Sequence, residues 1–482
     1  MNDIKVSDRI RGADCAVLGY GVSNKPLVEW LMAHGAKSVT VRDRRSEEDM
    51  RSSGDADRIT AAGATYLTGE GYLDGIKADI IFRSPGIRPD AGGIGEAVAR
   101  GALLSSEMEL FFELCPCEIF AITGSDGKTT TTTVTSLILE EACRRRGGKV
   151  YRGGNIGNPL LPELENMTER DICVVELSSF QLMTMRKSPS RAIITNITPN
   201  HLNWHVDMDE YIAAKCNVCM HQPISHMVVN AENAITFEIA RNSDVPVTYF
   251  SSKRSSYEDI VPEYKQGGGT LAVFERDGII YISDGEQERR VMPTESIKLP
   301  GRHNVENYMA AVAICDGYAD FSEAEEVART FGGVPHRLEL VDVIGGVKYY
   351  NSSIDSSPTR TIAALSAMDK PIIICGGQDK HVPFDTLAVE LCKSTKAVVL
   401  TGEARGQILD ALEKLPLYSE AKLPTYVEPD FKAAVLLASS LAVEGDTVLL
   451  SPACTSFDAF KNFAERGEFF KSIVKEIKNK EG

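Results

Sequence analysis

The chain has 482 residues, 43% hydrophobic and 25% charged, the make-up of ordinary globular domains, which excludes a disordered or collagen-like chain. That length predicts about two to four domains. A formal net charge of −16 argues against nucleic acid or an anionic membrane surface as partner, but leaves phosphate-bearing small molecules open, because local backbone N–H groups can hold those.

Residues 13–18 predict a strand, 24–34 an amphipathic helix, and 38–42 and 78–82 two further strands. This βαβ rhythm implies a parallel sheet covered on both faces. The apolar run 15–18 is too short for a signal-peptide core, and no segment approaches the ~20 apolar residues that span a bilayer. The expectation is therefore a cytoplasmic protein without membrane insertion. Residues 110–116 read as a helix end and a linker, and a strand at 118–122 opens a second α/β unit. The stretch 265–286 is Gly-rich and hairpin-like, which predicts antiparallel strands added to the edge of a larger sheet. Residues 331–335 (FGGVP) form a second boundary, followed by strands at 346–351, 371–375, 397–401 and 446–451. The 11 cysteines read as free thiols, buried or half-buried. Cys115 and Cys117 flank a proline and Cys216 and Cys219 form a C-x-x-C, yet no second motif completes a zinc site.

The motif that carries chemistry is AITGSDGKTT, residues 121–130. Gly124, Gly127, Lys128 and Thr129 match G-x-x-G-K-[ST], a shortened phosphate loop between an apolar strand and a helical stretch at 130–146. Glycines let several N–H groups turn inward, and the helix N-terminus adds positive potential. Lys128 can reach terminal phosphates and Thr129 can ligate Mg²⁺. Residues 171–182 (DICVVELSSFQL) predict a buried strand ending in Glu176, a carboxylate suited to Mg²⁺ beside such a loop. Residues 191–205 predict another buried strand, then a loop with His201 and His205; taken alone, loop histidines read as surface residues. Lys215 lies in an amphipathic helix, and pattern alone makes it a solvated lysine.

The ordered motifs GSDGKTT, GGNIGNP, VELSSFQL, NITPNHLNWH, YIAAK, LPGRHNVEN, PHRLE, GGQDKH and SPACTSFDAFKNFAERG resemble the Mur ligases of peptidoglycan synthesis over nearly the whole chain. Residues 451–467, with GYGVSNKP and RSPGI near the N-terminus, are most similar to the D-glutamate-adding branch. The resemblance implies an α/β protein of three domains. These are a Rossmann-like UDP-substrate domain (1–116), a central P-loop ATPase domain with added antiparallel strands (117–333), and a Rossmann-like domain contacting amino acid and nucleotide (334–482). It implies ATP-dependent joining of D-glutamate to UDP-N-acetylmuramoyl-L-alanine through an acyl phosphate, by a monomer acting on small molecules.

The same resemblance implies residue roles. Gly19, Gly21 and Ser23 would face the UDP diphosphate, with Asp43 and Arg44 near the uridine and Ser84, Pro85 and Gly86 lining the pocket. Asn155, Ser178 and Gln181 would touch the muramoyl part. Gly124, Ser125, Asp126, Gly127, Lys128, Thr129 and Thr130 would hold ATP, with Asn304, Asn307, His336 and Arg337 around the nucleotide. Lys128, Glu176, His201 and Lys215 would be catalytic. Two Mg²⁺ ions would sit on Thr129, Glu176, His201 and a CO₂-derived carbamate on Lys215. Lys380, Ser456 and Phe463 would grip the amino acid.

Some positions depart from the family pattern. Ser352 stands where an aspartate is expected, Ile354 where a lysine is expected, and Asn200 where an acid is common; Arg360 is a candidate replacement for the missing lysine. Asn24 stands where a third glycine would complete a dinucleotide fingerprint, which argues against a nicotinamide oxidoreductase. The alternatives are another Mur ligase, a folylpolyglutamate synthase-like ligase, or a P-loop ATPase that hydrolyses without ligating.

Overall fold

The apolar runs form strands buried on both faces, which is where parallel sheets place them. In the computed structural model, which describes residues 5–202, 204–266, 269–378 and 383–481, these strands build three sheets. The chain divides into two compact units, Met1–Thr330 and Phe331–Gly482.

The first unit holds two sheets. One contains β1 (Asp14–Leu18), β2 (Ser38–Asp43), β3 (Thr65–Thr68), β4 (Ile80–Arg83) and β5 (Leu103–Ser105). They run parallel in the order β3-β2-β1-β4-β5. The strand order reverses between β1 and β4, so the crevice at their carboxyl ends is where such a sheet binds ligands. Gly19 follows β1 and Ser84 follows β4, and Ser84 N donates to Leu18 O at 2.8 Å.

The second sheet has nine strands. They are β6 (Glu118–Thr123), β7 (Val150–Gly154), β8 (Ile172–Glu176), β9 (Arg191–Ile194), β10 (His226–Asn230), β11 (Val247–Ser251), β12 (Leu271–Arg276), β13 (Ile279–Ser283) and β14 (Glu288–Pro293). Their order is β14-β13-β12-β11-β10-β9-β6-β8-β7. Only the β12-β13 and β13-β14 pairings are antiparallel, the hairpin edge expected from residues 265–286. Strand β6 lies between β8 and β9, so the loops leaving all three emerge side by side. Phe120, Ala121 and Ile122 on β6 and Cys173, Val174 and Val175 on β8 are fully buried.

The second unit holds β15 (Glu339–Ile344), β16 (Val347–Asn351), β17 (Ile372–Gly376), β18 (Ala397–Thr401), β19 (Thr425–Val427) and β20 (Thr447–Leu450). The order is β15-β16-β20-β17-β18-β19, parallel except for the β15-β16 hairpin. The terminal helix Phe463–Glu481 packs against β15 and β16. One core cluster centres on Ile373, Leu400 and Leu449, and another on Ile374, Val399 and Val448. Among the described residues no helix is long and apolar enough to cross a membrane.

Candidate active site

Strand β6 ends at Thr123, and the turn from Gly124 leads straight into the helix Lys128–Arg145. Gly127 is the helix cap, with φ of 79° in the left-handed region, and a Cβ there would run into Asn307 Oδ1. Glycine meets both demands at once. Asn307 also accepts from Thr131 Oγ1 at 3.1 Å and donates to Asn304 Oδ1 at 3.1 Å. The expected nucleotide-side asparagines are therefore packed directly on the loop.

The loop is held open by its neighbour. Asn196 O accepts from Ser125 N (2.8 Å) and Asn196 Oδ1 from Asp126 N (2.9 Å), while Thr195 Oγ1 donates to Asp126 O (2.6 Å). Ser125 Oγ meets Tyr211 OH at 2.9 Å. Lys128 Nζ reaches back across the turn to Gly124 O (3.0 Å) and Ser125 O (2.9 Å). That arrangement places a cation at the mouth of the turn. Thr129 is buried at the start of the helix.

Glu176 ends β8 in register with Ile122, two residues before the turn. Its side chain is buried; Oε1 accepts from Asn155 Nδ2 at 2.8 Å, while Oε2 has no hydrogen-bond partner among the described residues. A buried carboxylate oxygen without a donor is costly unless a cation meets it. Beside a phosphate loop, that orphan oxygen fits Mg²⁺.

Lys215 corrects the sequence expectation of a solvated lysine. It is 1% exposed. Its helix, Met208–Cys216, is capped by Asp207 and points the side chain beneath the loop. Nζ donates to Gly124 O at 2.7 Å and lies 4.8 Å from the Tyr211 ring centre. Burial, and then the charge of Lys128, push its amine well below the ordinary lysine value, against the pull of Asp126 and Glu176. A neutral, nucleophilic amine is favoured there.

His201 is exposed, at φ 55°, with its ring 4.9 Å from Phe180. Partial burial, and then the charge of Lys128, hold its pKa below the ordinary value, which favours the neutral ring that a metal could take. His205 is not the surface residue its loop position suggested. It is buried between Glu210 Oε1 (3.0 Å) and Ser179 Oγ (2.9 Å).

Several organising residues escaped the sequence reading. Arg88 grips both oxygens of Glu210 at 3.0 Å and donates to Trp204 O at 2.8 Å, and the Arg88 hydrogen bonds hold the Glu210 carboxyl down at about 2. Arg83 is buried and donates to Ile87 O (2.8 Å), Pro85 O (3.1 Å) and Phe180 O (2.6 Å). Trp204 Nε1 donates to Gly86 O at 3.1 Å. These bonds tie the loop after β4 to the loops after β8 and β9. The partners lie about a hundred residues apart in sequence, so no local pattern could announce them.

The expected UDP-side residues fall into three groups. Gly19, Gly21 and Ser84 come together, a Cβ on Gly21 lying 3.8 Å from Ser84 Oγ, and Ser23 caps the following helix by position alone. Asp43 is occupied within the protein: it accepts from Tyr20 N (2.7 Å) and from Arg45 N and Nε (3.0 and 3.1 Å), while Arg44 is exposed. Ser178 and Gln181 bond one another in a capping box on the helix Ser179–Leu182.

In the second unit, His336 is buried at φ 64°, its Nδ1 3.0 Å from Asn351 Nδ2, followed by half-buried Arg337. Loops after β16 and β20 bring Ser353 Oγ to Phe463 O at 2.8 Å, with Ser456 buried nearby in sequence. Lys380 lies outside the described residues. Ser352 is buried and accepts from Leu338 N, Ile354 is half-buried, and Arg360 Nη1 donates to Ile354 O at 3.2 Å.

Comparison with known proteins follows this geometry. The Mur ligase middle domain matches residues 122–315, and the Mur ligase, glutamate ligase domain matches residues 336–454. A UDP-N-acetylmuramoylalanine–D-glutamate ligase of Clostridium novyi is 44% identical over 473 residues, 98% of each chain. One from Acetivibrio thermocellus is 43% identical over 482 residues, 99% of each chain. The crystal structure of a UDP-N-acetylmuramate-alanine ligase from Thermotoga maritima shares the fold at a TM-score of 0.53 and 19% identity, covering 97% of this chain and all of that one. With a phosphate loop, a buried lysine beneath it and a strand-end carboxylate beside it, and with such identity along nearly its whole length, the chain belongs to the Mur ligase family.

Proposed function

We propose that this chain adds D-glutamate to UDP-N-acetylmuramoyl-L-alanine in peptidoglycan precursor synthesis. As a Mur ligase it is an ATP-dependent enzyme that forms an amide bond. The observation that supports the site assignment is the convergence of Lys128, Lys215 and Glu176 on the Gly124 turn.

The chemistry follows from charge and position. A carboxylate is a poor electrophile, and transfer of a phosphoryl group from ATP makes it an acyl phosphate. That transfer is accelerated mainly by alignment and by stabilising negative charge on the phosphoryl oxygens. The helix N-terminus at residues 127–130 and the Lys128 ammonium would supply that stabilisation, Ser125 N and Asp126 N being taken up by Asn196. Thr129 and Glu176 would hold Mg²⁺, which would supply neutralising charge for the phosphates. The glutamate amine then attacks the acyl carbon, and the C–O bond to phosphate breaks as the amide forms.

Lys215 is the residue we assign to CO₂. Its neutral amine attacks CO₂, forms a C–N bond and releases a proton, giving a carbamate anion that, with His201, would hold a second Mg²⁺. The Gly19, Gly21, Ser23 and Ser84–Pro85–Gly86 crevice would take the UDP diphosphate, with Asp43 and Arg44 at its uridine end. Asn155, Ser178 and Gln181 would face the muramoyl group. His336 and Arg337 would contact nucleotide, and Lys380, Ser456 and Phe463 the incoming glutamate. Arg360, already at the carbonyl of Ile354, would stand in for the absent lysine. Domains at 1–116, 117–333 and 334–482, a monomeric state and a cytoplasmic location, where ATP is supplied, complete the proposal.

An isotopic oxygen label in the acceptor carboxylate tests it. One labelled oxygen should appear in the released phosphate, with ADP and amide formed one to one, and D-glutamate should outcompete L-glutamate and other amino acids. Phosphate without label, or release independent of the amino acid, would favour a hydrolytic ATPase. A preference for another amino acid would move the chain to another Mur activity.

A further inference from the structure

The linker before β6 places Cys115 and Cys117 beside a third thiol. Cys117 shares a sheet face with Ile119, and Ile119 lies opposite Cys173 in the parallel β6-β8 ladder, so all three positions point the same way. The Sγ atoms of Cys115 and Cys117 are 3.4 Å apart, those of Cys117 and Cys173 3.4 Å, and those of Cys115 and Cys173 3.7 Å. Among the described residues this is the one cluster of metal-ligating side chains that lies within 4.8 Å in every direction.

The triangle has the dimensions of a metal face. The circle through the three sulfurs has a radius of about 2.0 Å, so an ion at a zinc–thiolate distance of about 2.3 Å would sit about 1 Å out of their plane with no sulfur moved. A fourth soft atom, Met167 Sδ, lies 3.8 Å from Cys173 Sγ. Cys173 is fully buried, Cys117 is 9% exposed and Cys115 is half-buried, which gives an ion a way in from the linker.

The geometry points to a binding site for a thiophilic d¹⁰ cation, of the Zn²⁺ or Cu⁺ class, held by Cys115, Cys117 and Cys173. Sulfur-only ligands select these ions over Mg²⁺. A bound ion would clip the linker between the helix Glu107–Leu114 and β6 onto β8, the strand that ends in Glu176. The site is separate from the phosphate loop, for Cys173 precedes Glu176 by three residues, about 10 Å along the strand.

The test uses the full chain, reduced, stripped of metal and kept in excess Mg²⁺, titrated with Cd²⁺ alone, Zn²⁺ alone and Cu⁺ alone. The expected result is one thiophilic ion per chain, with a sulfur-to-cadmium charge-transfer band in the near ultraviolet. Affinity measured against a chelator should fall at least about 100-fold in Cys115→Ser and in Cys117→Ser, because loss of a ligand exceeds the loss of an outer-shell partner. Cys392→Ser, in the other unit, should bind as wild type. Both serine variants sit at the partly exposed end of the cluster, and their circular dichroism checks that they fold. Absence of the band in wild type, equal affinity in Cys115→Ser, or a freshly purified chain whose cluster is an internal disulfide that blocks the ion would each overturn the proposal.

Discussion

Two strand–turn–helix junctions in the first unit use one backbone device for different ends. After β1, Asn24 opens the helix and its amide donates back to Leu18 O (3.3 Å) and Gly19 O (2.8 Å). After β6, Lys128 opens the helix and its ammonium donates back to Gly124 O and Ser125 O. Each first helical residue closes the preceding turn. Asn24 does so as a short, neutral, buried group, 2% exposed, that uses up its donors inside the protein. Lys128 does so as a long, half-buried cation that can swing from the carbonyls to a phosphate. On the proposed site assignment, charge at that single position would separate a turn that only lets an anion approach from a turn that binds and activates one. The second junction also has Lys215 beneath it and Glu176 beside it, with one Glu176 oxygen unpartnered among the described residues, whereas Asp43, the strand-end carboxylate beside the first, is taken up by Tyr20 N and Arg45.

The largest expected effect comes from erasing this difference. Lys128→Ala should cut turnover by about 10³-fold or more, the scale of losing a charge-stabilising donor, while thermal unfolding shifts little. Retained activity would break the comparison at its centre. Lys215→Ala should cost about 10²-fold or more, with partial rescue by short carboxylic acids that occupy the place of the carbamate. Full activity without added acid would return Lys215 to a packing role.

Backbone changes come next. Gly127→Ala forces a left-handed residue and a contact with Asn307 Oδ1. It should destabilise the fold by about 1–2 kcal/mol from the backbone conformation alone and weaken nucleotide binding, read by denaturant unfolding and by titration with ADP. Asn24→Ala removes one buried and one partly buried hydrogen bond and should cost about 1–2 kcal/mol of stability, leaving Mg-ATP affinity unchanged.

The smallest effect is a pH slope. In the folded chain the Lys215 amine gives up its proton well below the 10.5 of a free lysine. Between those two values the unfolded chain binds the extra proton, so stability rises with pH toward 10.5. Denaturant midpoints of the CO₂-free chain should show that rise, and Lys215→Met should flatten it. An unchanged slope would mean that the amine is solvated.

The second junction was legible in sequence because its signals are local: glycines, lysine and threonine within six residues of a buried strand. The hairpin edge β12–β14 was legible for the same reason, as alternating residues around Gly-rich turns. The buried state of Lys215 was not, because the helix Met208–Cys216 is amphipathic in either case and only the sheet decides which face meets the loop. The pairs Arg83–Phe180 and Arg88–Glu210 were beyond reach, since each joins elements about a hundred residues apart. The same holds for Cys173, whose place beside Cys115 and Cys117 is set by the β6-β8 register.

Calorimetric titration with Mg-ATP in the absence of acceptor tests the central claim most directly, run on wild type, Lys128→Ala and Asn24→Ala side by side. The account predicts one nucleotide per chain, lost or much weakened in Lys128→Ala and intact in Asn24→Ala. Undiminished binding in Lys128→Ala, or binding lost through Asn24→Ala instead, would contradict it.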